Sequence, residues 1–524
     1  MKNNKLYFSY INNIEKFDEC PSNNELILDN TSIGNQAYMS CAQIISVSMD
    51  TATSIGDYAF FECNALISVS MTNTTSIGNS AFSRCIALTS VSMNSAISIG
   101  ESAFNECKAL TSVSINNATS LGFQAFKNCT KLTSVSINNV KNIDKYTFDN
   151  CISLISVSMN SATSIGINAF YECEKLLSIT IDKATSIGDN AFNGCIALTS
   201  VSMTNTTSIG IQAFFECNAL TSVIMNSATS IGENAFYECN ELASITMDKA
   251  ISIGNTAFFV CEKLVSVVMN NATSIGIQAF NGCIALTSVS MNSATSIGES
   301  AFSGCDALTS VSMNNATSIG DDAFNGCEAL VSINMDNATS IGDGAFNGCK
   351  ALTSVNIPIV NSIGVQAFAS CAKLRSISID KATSIGENAF IGCVALISII
   401  LNNVNSIGSK AFYECRDLTS ISINCIKPDD ILLFEEIFNK SIQNVYIYKD
   451  FKNWQEWFGF NAINSIDLTP TSTSIPTTTT TQKTTPITTS VSITIIIVII
   501  IIFILFFYIY KQKIIYILNA SRRL

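Results

Sequence analysis

Residues 195–216 read CIALTSVSMTNTTSIGIQAFFE, and the same 22-residue sentence is repeated along most of the chain. Counting from Cys195 as position 0, apolar residues recur at positions 3, 6, 8, 11, 14, 18 and 19 of the unit. Leu198, Val201 and Met203 form an L-x-x-L-x-L pattern whose last part alternates, which is strand periodicity. From Gly210 onward the period changes. Ala213, Phe214 and Cys217 are spaced to share one helical or 3₁₀ face, and Gly210 is read as the turn between the two arms. A unit of this size cannot bury its own apolar side chains. Stacked copies can, by setting Leu on Leu, Phe on Phe and Cys on Cys.

The cysteines fix the period. Those from Cys41 to Cys415 fall in one register of 22, leaving only Cys20 and Cys425 outside it. Disulfide frameworks have irregular spacings set by pairing geometry. A fixed step instead means that one structural position recurs, so the column is read as buried free thiols. Bridges between neighbouring turns are the alternative. A metal array is disfavoured, because no C-x-x-C pair occurs. Phe60, Phe82, Phe104, Phe126, Phe148, Phe170 and Phe192 keep the same step, as core packing requires. Strands of successive turns are expected to pair at about 4.8 Å. A helical arm, wider than a strand, would make the strand side concave. The fold class expected is therefore an α/β repeat solenoid of 22-residue turns, with parallel strands on the concave face and one C-terminal transmembrane helix.

Composition removes several classes of function. The chain has 28 Lys and Arg against 40 Asp and Glu, a net charge of −12, which disfavours a nucleic-acid partner. It contains no histidine, so the commonest general base and metal ligand is missing. With no nucleophile–base pair and no phosphate loop, no enzyme, cofactor or metal site is expected. Acids at Asp57, Glu62, Glu101, Glu106, Asp321, Asp322 and Glu328 read as a solvated charged face.

The string TSIGxxAFxxCxxLxxV, repeated over about residues 20–424, resembles the BspA-type leucine-rich repeats. These were first described in surface proteins of treponemes and oral bacteria and are expanded in parasitic protists such as trichomonads. The resemblance implies a leucine-rich-repeat fold and binding to host matrix, host cells or other microbes. VYIYKDFKNWQEWFGF, residues 445–460, resembles the strand and helix that close such arrays. The family's Pro after the strand is present only as Pro358, and one residue of the usual unit is missing. Asp144 in place of the turn Gly and Thr147 in place of Ala mark one irregular turn.

The rest of the chain suggests a membrane-anchored display. Residues 1–40 read as an N-terminal cap and degenerate first repeat, 41–424 as the solenoid, and 425–467 as a C-terminal cap holding Trp454 and Trp457. Residues 468–492 are a Thr/Ser/Pro-rich stalk. Ile493 to Tyr510 is an apolar run that would span about 27 Å as a helix, near the thickness of a bilayer core. Residues 511–524 carry Lys511, Lys513, Arg522 and Arg523 and no acid, which expects this tail in the cytoplasm and the solenoid outside the cell. Residues 1–19 show no apolar signal segment, which motivates the alternative of a tail-anchored intracellular scaffold.

Two sets of residues are candidates for function. Positions 5, 7 and 9 of the unit, as in Ser200, Ser202 and Thr204, Ser288, Ser290 and Asn292, and Ser310, Ser312 and Asn314, form a ladder of small polar groups for an extracellular protein or glycan. Asn73, Asn117, Asn205, Asn271, Asn315 and Asn337 head N-x-[ST] sequons at position 10, with further sequons at Asn30 and Asn439. No position breaks the repeat sharply enough to mark a pocket.

Overall fold

The computed structural model describes residues 20–423 together with Tyr7–Phe8, residues 437–438 and Asn444–Ile447. The stalk at 468–492, the apolar run Ile493 to Tyr510, the tail at 511–524, Asn439 and both tryptophans lie outside the described residues. Among the described residues, no helix is long and apolar enough to cross a membrane.

Each repeat is one turn of a coil with three sides. The first is a strand of three residues, such as Ser200–Ser202, and the second a strand of two, such as Ser208–Ile209. Both pair in parallel with the same residues one repeat on: Val201 opposite Val223, Ile209 opposite Ile231. Alternation sets the burial. Val201 points into the core between exposed Ser200 and half-exposed Ser202, because successive strand side chains take opposite faces. The expected strand lies in each turn where the L-x-x-L-x-L pattern put it.

The third side corrects the sequence reading. Where a helical arm was expected, the chain makes consecutive tight turns, and the fold is built of strands and turns. Gln212 and Glu216 take φ of 55°, and their equivalents do so in turn after turn. These left-handed residues flip alternate peptides. Gln212, Phe214 and Glu216 then donate their N–H groups to Glu233, Ala235 and Tyr237 of the next turn at 2.8, 2.8 and 2.9 Å. A helix would have spent those donors on its own carbonyls. Only short i→i−3 bonds remain within the arm, as from Phe215 N–H to the Gln212 carbonyl at 3.2 Å. The spacing of Ala213, Phe214 and Cys217 mimics a helical face because two left-handed residues four apart return the chain inward at the same interval. With no helix on this side, the expected concavity of the strand side loses its physical basis.

The interior is a set of columns. The rings from Tyr38 and Phe60 through Phe412 to Phe438 stack nearly parallel, with centroids 5.1 Å apart at Tyr38–Phe60, 5.2 Å at Phe236 and 5.1 Å at Phe412–Phe438. Centroids this far apart in parallel rings mean offset stacking, the arrangement the ring quadrupoles prefer. The last step, from Phe412 to Phe438, is longer in sequence than a repeat, yet it keeps the same spacing. The strand Asn444–Ile447 then pairs in parallel with Ser420–Ile423, so the beginning of the expected C-terminal cap continues the stack.

The glycine of SIG is required by close approach. A Cβ added at Gly254 would lie 2.6 Å from the backbone N of Glu233 and the carbonyl carbon of Gly232, and the other glycines of this column meet the preceding turn in the same way. No side chain fits between turns there, so the position needs Gly for contact and not for a left-handed φ. Replacing Gly254 by Ala is expected to push two turns apart and lower stability by about 1–3 kcal/mol, measured by urea unfolding; an unchanged midpoint would show that the turns are not in this contact.

Candidate functional site

The first-strand face carries the residues expected to bind. Its three columns differ in availability. Position 5 is serine in every turn from Ser46 to Ser420. Ser200 and Ser310 are exposed and Ser288 half-exposed. Positions 7 and 9 are engaged with each other across turns. Ser202 Oγ donates to Asp182 Oδ1 at 2.6 Å, and the Thr204 N–H donates to the same oxygen at 3.1 Å. Ser290 Oγ and Asn292 Nδ2 likewise donate to Asn270 Oδ1 at 2.7 and 3.1 Å, and Ser312 Oγ donates to Asn292 Oδ1. Asn314 is exposed. The nine candidates thus do share one face, but much of the polar capacity of positions 7 and 9 holds turn to turn. These bonds keep the Asp182 carboxyl below the usual carboxylate range, the Ser202 hydroxyl first and the Thr204 amide next.

This face has a break the sequence reading passed over. Position 7 is Ile224 in one turn and Val268 two turns later, 48% and 42% exposed, where most turns have Ser. Thr246 lies between them on the same column, and Val265, at position 4 of the turn that holds Val268, is 47% exposed. The signal was legible, since an apolar residue in an otherwise polar outward column is a departure from the repeat.

The six sequon asparagines at position 10 stand at the bend after the first strand, and they divide into two groups. Nδ2 of Asn73, Asn117, Asn271 and Asn337 donates to a backbone carbonyl of the preceding turn at 2.7, 2.8, 2.7 and 2.9 Å. Asn205 and Asn315 are exposed and make no such bond. Replacing Asn117 by Ala is expected to cost about 1 kcal/mol and Asn205 by Ala almost nothing, read from paired thermal melts; equal losses would deny the difference.

The thiols are structural. From Cys63 to Cys415 they are buried and free, and each donates to the carbonyl of the core ring residue 25 positions earlier, as Cys217 Sγ does to Phe192 O at 3.2 Å. The column of free thiols expected from the spacing is present with one correction. Cys41 is bonded to Cys20, with Cα atoms 5.4 Å apart. Register explains the exception. Side chains at the same position one turn apart point in parallel and stay separated by the turn spacing, beyond the ~3.8 Å that Cβ atoms of a disulfide require. Cys20 precedes Cys41 by 21 residues, one short of the repeat, so it is free of that constraint.

Burial pushes most of these thiols up, Cys85 and Cys107 among them and Cys349 to about 12. Thiols raised in this way stay protonated in the folded chain while those of the unfolded chain ionise above a pH of about 8.5. Their contribution is therefore complete below that pH and is lost as pH rises toward the folded values. Stability should fall steeply above about pH 9, by more per pH unit than any single group supplies, and a flat alkaline profile would mean exposed thiols.

Among the acids of the third side, Glu62 and Glu106 are half-exposed and face Arg84 at 2.9 and 3.6 Å, and exposed Glu328 pairs with Lys350 at 2.6 Å, whereas Asp149 is buried. Among the described residues no group of three or more His, Cys, Asp or Glu could hold a metal ion.

The family model for the "BspA type Leucine rich repeat region (6 copies)" matches in overlapping stretches from residue 31 to residue 485. The chain belongs to the BspA-type leucine-rich-repeat family. A leucine-rich repeat protein from Bacteroides ovatus is 26% identical, with a TM-score of 0.50, covering 68% of this chain and 88% of its own. A leucine rich cell surface protein from Faecalibacterium prausnitzii is also 26% identical, covering 66% of this chain and 92% of its own, with a TM-score of 0.32. No curated protein matches. The BspA-type assignment confirms the resemblance read from TSIGxxAFxxCxxLxxV, and the parallel-strand solenoid is the fold of this leucine-rich-repeat class.

Proposed function

We propose that this BspA-type protein is a cell-surface binding protein that presents its solenoid outside the cell and engages an extracellular protein or glycan on the first-strand face. The observation that carries this reading is the uninterrupted column of outward serines from Ser46 to Ser420. It offers hydrogen-bonding groups at one spacing over a long surface without a deep pocket, which suits an extended partner better than a small molecule. Ile224 and Val268 add apolar area within that face, and a protein partner gains from burying such area. The function is binding, with no catalytic role assigned to any residue.

Location outside the cell is supported by the order of the C-terminal segments and by a disulfide. The Thr/Ser/Pro-rich stretch at 468–492, the apolar run Ile493 to Tyr510 and the basic residues that follow come in the order of a stalk, an anchor and an inner tail. The Cys20–Cys41 disulfide suits an oxidising compartment. The remaining thiols of the array are shielded by burial and tolerate that compartment once folded. One observation favours a cytosolic solenoid on a tail anchor instead: so many reduced cysteines fold without mispairing most readily where thiols are kept reduced.

Protease shaving with an antibody to the repeats separates the two. Loss of the repeat signal from intact cells is expected, together with weaker capture of cells or matrix by the Ile224→Ser, Val268→Ser variant. Protection of the repeats until the membrane is permeabilised would overturn the surface reading.

A further inference from the structure

Among the described residues, the first-strand ladder lapses at three steps, after Ser90–Ser92, after Ser156–Ser158 and after Ser376–Ser378, whereas the second-strand ladder lapses at one, and that step is built differently in other respects too. At nearly every turn the SIG glycine donates its N–H to the Ile carbonyl of the preceding turn, as Gly122 does to Ile99 at 2.9 Å and Gly166 to Ile143 at 2.8 Å. Between those two stands Asp144, the one residue other than Gly in this column. A Cβ at this position has no room at normal spacing. The second-strand ladder is interrupted here and, among the described residues, at no other step: one sheet ends at Ser120–Leu121 and the next begins at Asn142–Ile143.

The core registers the same discontinuity. Phe126 and Phe148, on either side of the step, are 5.6 Å apart, the widest spacing in the ring column. The next pair, Phe148 and Phe170, has the largest tilt, 18°. Thr147, in place of the usual Ala, turns its hydroxyl back to the Asp144 carbonyl at 2.7 Å.

The other two sides of this step remain joined. Val113 pairs with Val135 on the first strand. On the third side Phe126 and Asn128 donate to Thr147 and Asp149 at 2.9 and 2.8 Å. Side chains reinforce that third side. Lys127 Nζ lies 2.7 Å from Asp149 Oδ2, in a pair whose carboxylate is nearly buried, and 4.9 Å from the centre of the Tyr146 ring. Phe123 meets Tyr146 edge-on at 5.6 Å. All of these contacts join the turn of residues 107–128 to the turn of residues 129–150.

We propose that this step is a hinge: the solenoid opens between residues 120–121 and 142–143 on its second-strand side, pivoting on the first strand and on the Lys127–Asp149–Tyr146 clasp. It divides the array into a shorter N-terminal arm and a longer C-terminal arm that open separately. In a tethered binding protein such a joint lets the distal arm change its angle to a partner without unfolding the rest. The hinge rests on the fold alone and stands whether or not the proposed function does.

Hydrogen exchange on the full chain tests it. Amides of residues 141–144 should exchange at least tenfold faster than the equivalent amides of residues 163–166. In low urea, residues 20–128 and 145–423 should open as two cooperative blocks. Asp144→Gly supplies the missing glycine, so it should slow exchange at 141–144 to the level of its neighbours and merge the two blocks. Lys127→Ala should leave 141–144 unchanged and raise exchange at 124–128. Equal protection at 141–144 and 163–166, a single block in the unaltered protein, or a block boundary that Asp144→Gly does not move would each overturn the hinge.

Discussion

Everything in this molecule depends on the distance between one turn and the next. The strands require a separation of about 4.8 Å to pair, and the core rings follow at 5.1 to 5.3 Å in most of the column. That distance is too small for any side chain pointing along the axis, which is why the column at Gly210, Gly232 and Gly254 has none. Once the turns sit at this spacing, every position of the repeat becomes a column. Each column then has to satisfy one chemical requirement many times over. Rings stack on rings, thiols donate to the carbonyl of the ring residue below, and Thr hydroxyls share a carbonyl with their own backbone amide, as Thr199 does at Leu177 with both bonds at 2.9 Å.

This arrangement explains the unusual composition. A chain with 20 cysteines would ordinarily be read as cross-linked, yet here Cys works as a small, buried, weakly donating side chain. Its S–H finds a partner in the carbonyl one turn back, so burial leaves no unsatisfied donor. Two polar intruders in the core obey the same rule: Thr74 and Thr206 are fully buried, and their hydroxyls each donate to an Ala carbonyl one turn back at 2.9 Å. Surface columns do the same with longer side chains, and at Asp182 and Asn270 the position 9 side chain binds the next turn before it can bind anything else.

Period, core and membership of the BspA-type family were legible in the sequence because each is a property of spacing. Leu198, Val201, Met203, Phe214 and Cys217 declare their burial by recurrence alone. The third side was misread because periodicity records where side chains return to the core and not how the peptides between them are oriented. Gln212 and Glu216 give no local sign of a left-handed φ; the ladder to the next turn imposes it. The Cys20–Cys41 bond was missed for a related reason, since only the structure shows that a cysteine one residue out of register escapes the parallel alignment of the rest. The candidate residues lie on the first-strand side as their spacing suggested, but the internal bonding at Ser202, Thr204, Ser290 and Asn292 follows from contacts between turns. The irregular residues Asp144 and Thr147 were visible as letters; their consequence needed the neighbouring turns.

The central claim is that one repeat advances the stack by one strand spacing, in register, from end to end. Spin labels on Ser200→Cys and Ser376→Cys, eight turns apart on the exposed serine column, test this by a direct distance. Stacking at about 5 Å per turn puts the labels about 40 Å apart in a narrow distribution. A broad distribution, or a separation far from that value, would contradict the account.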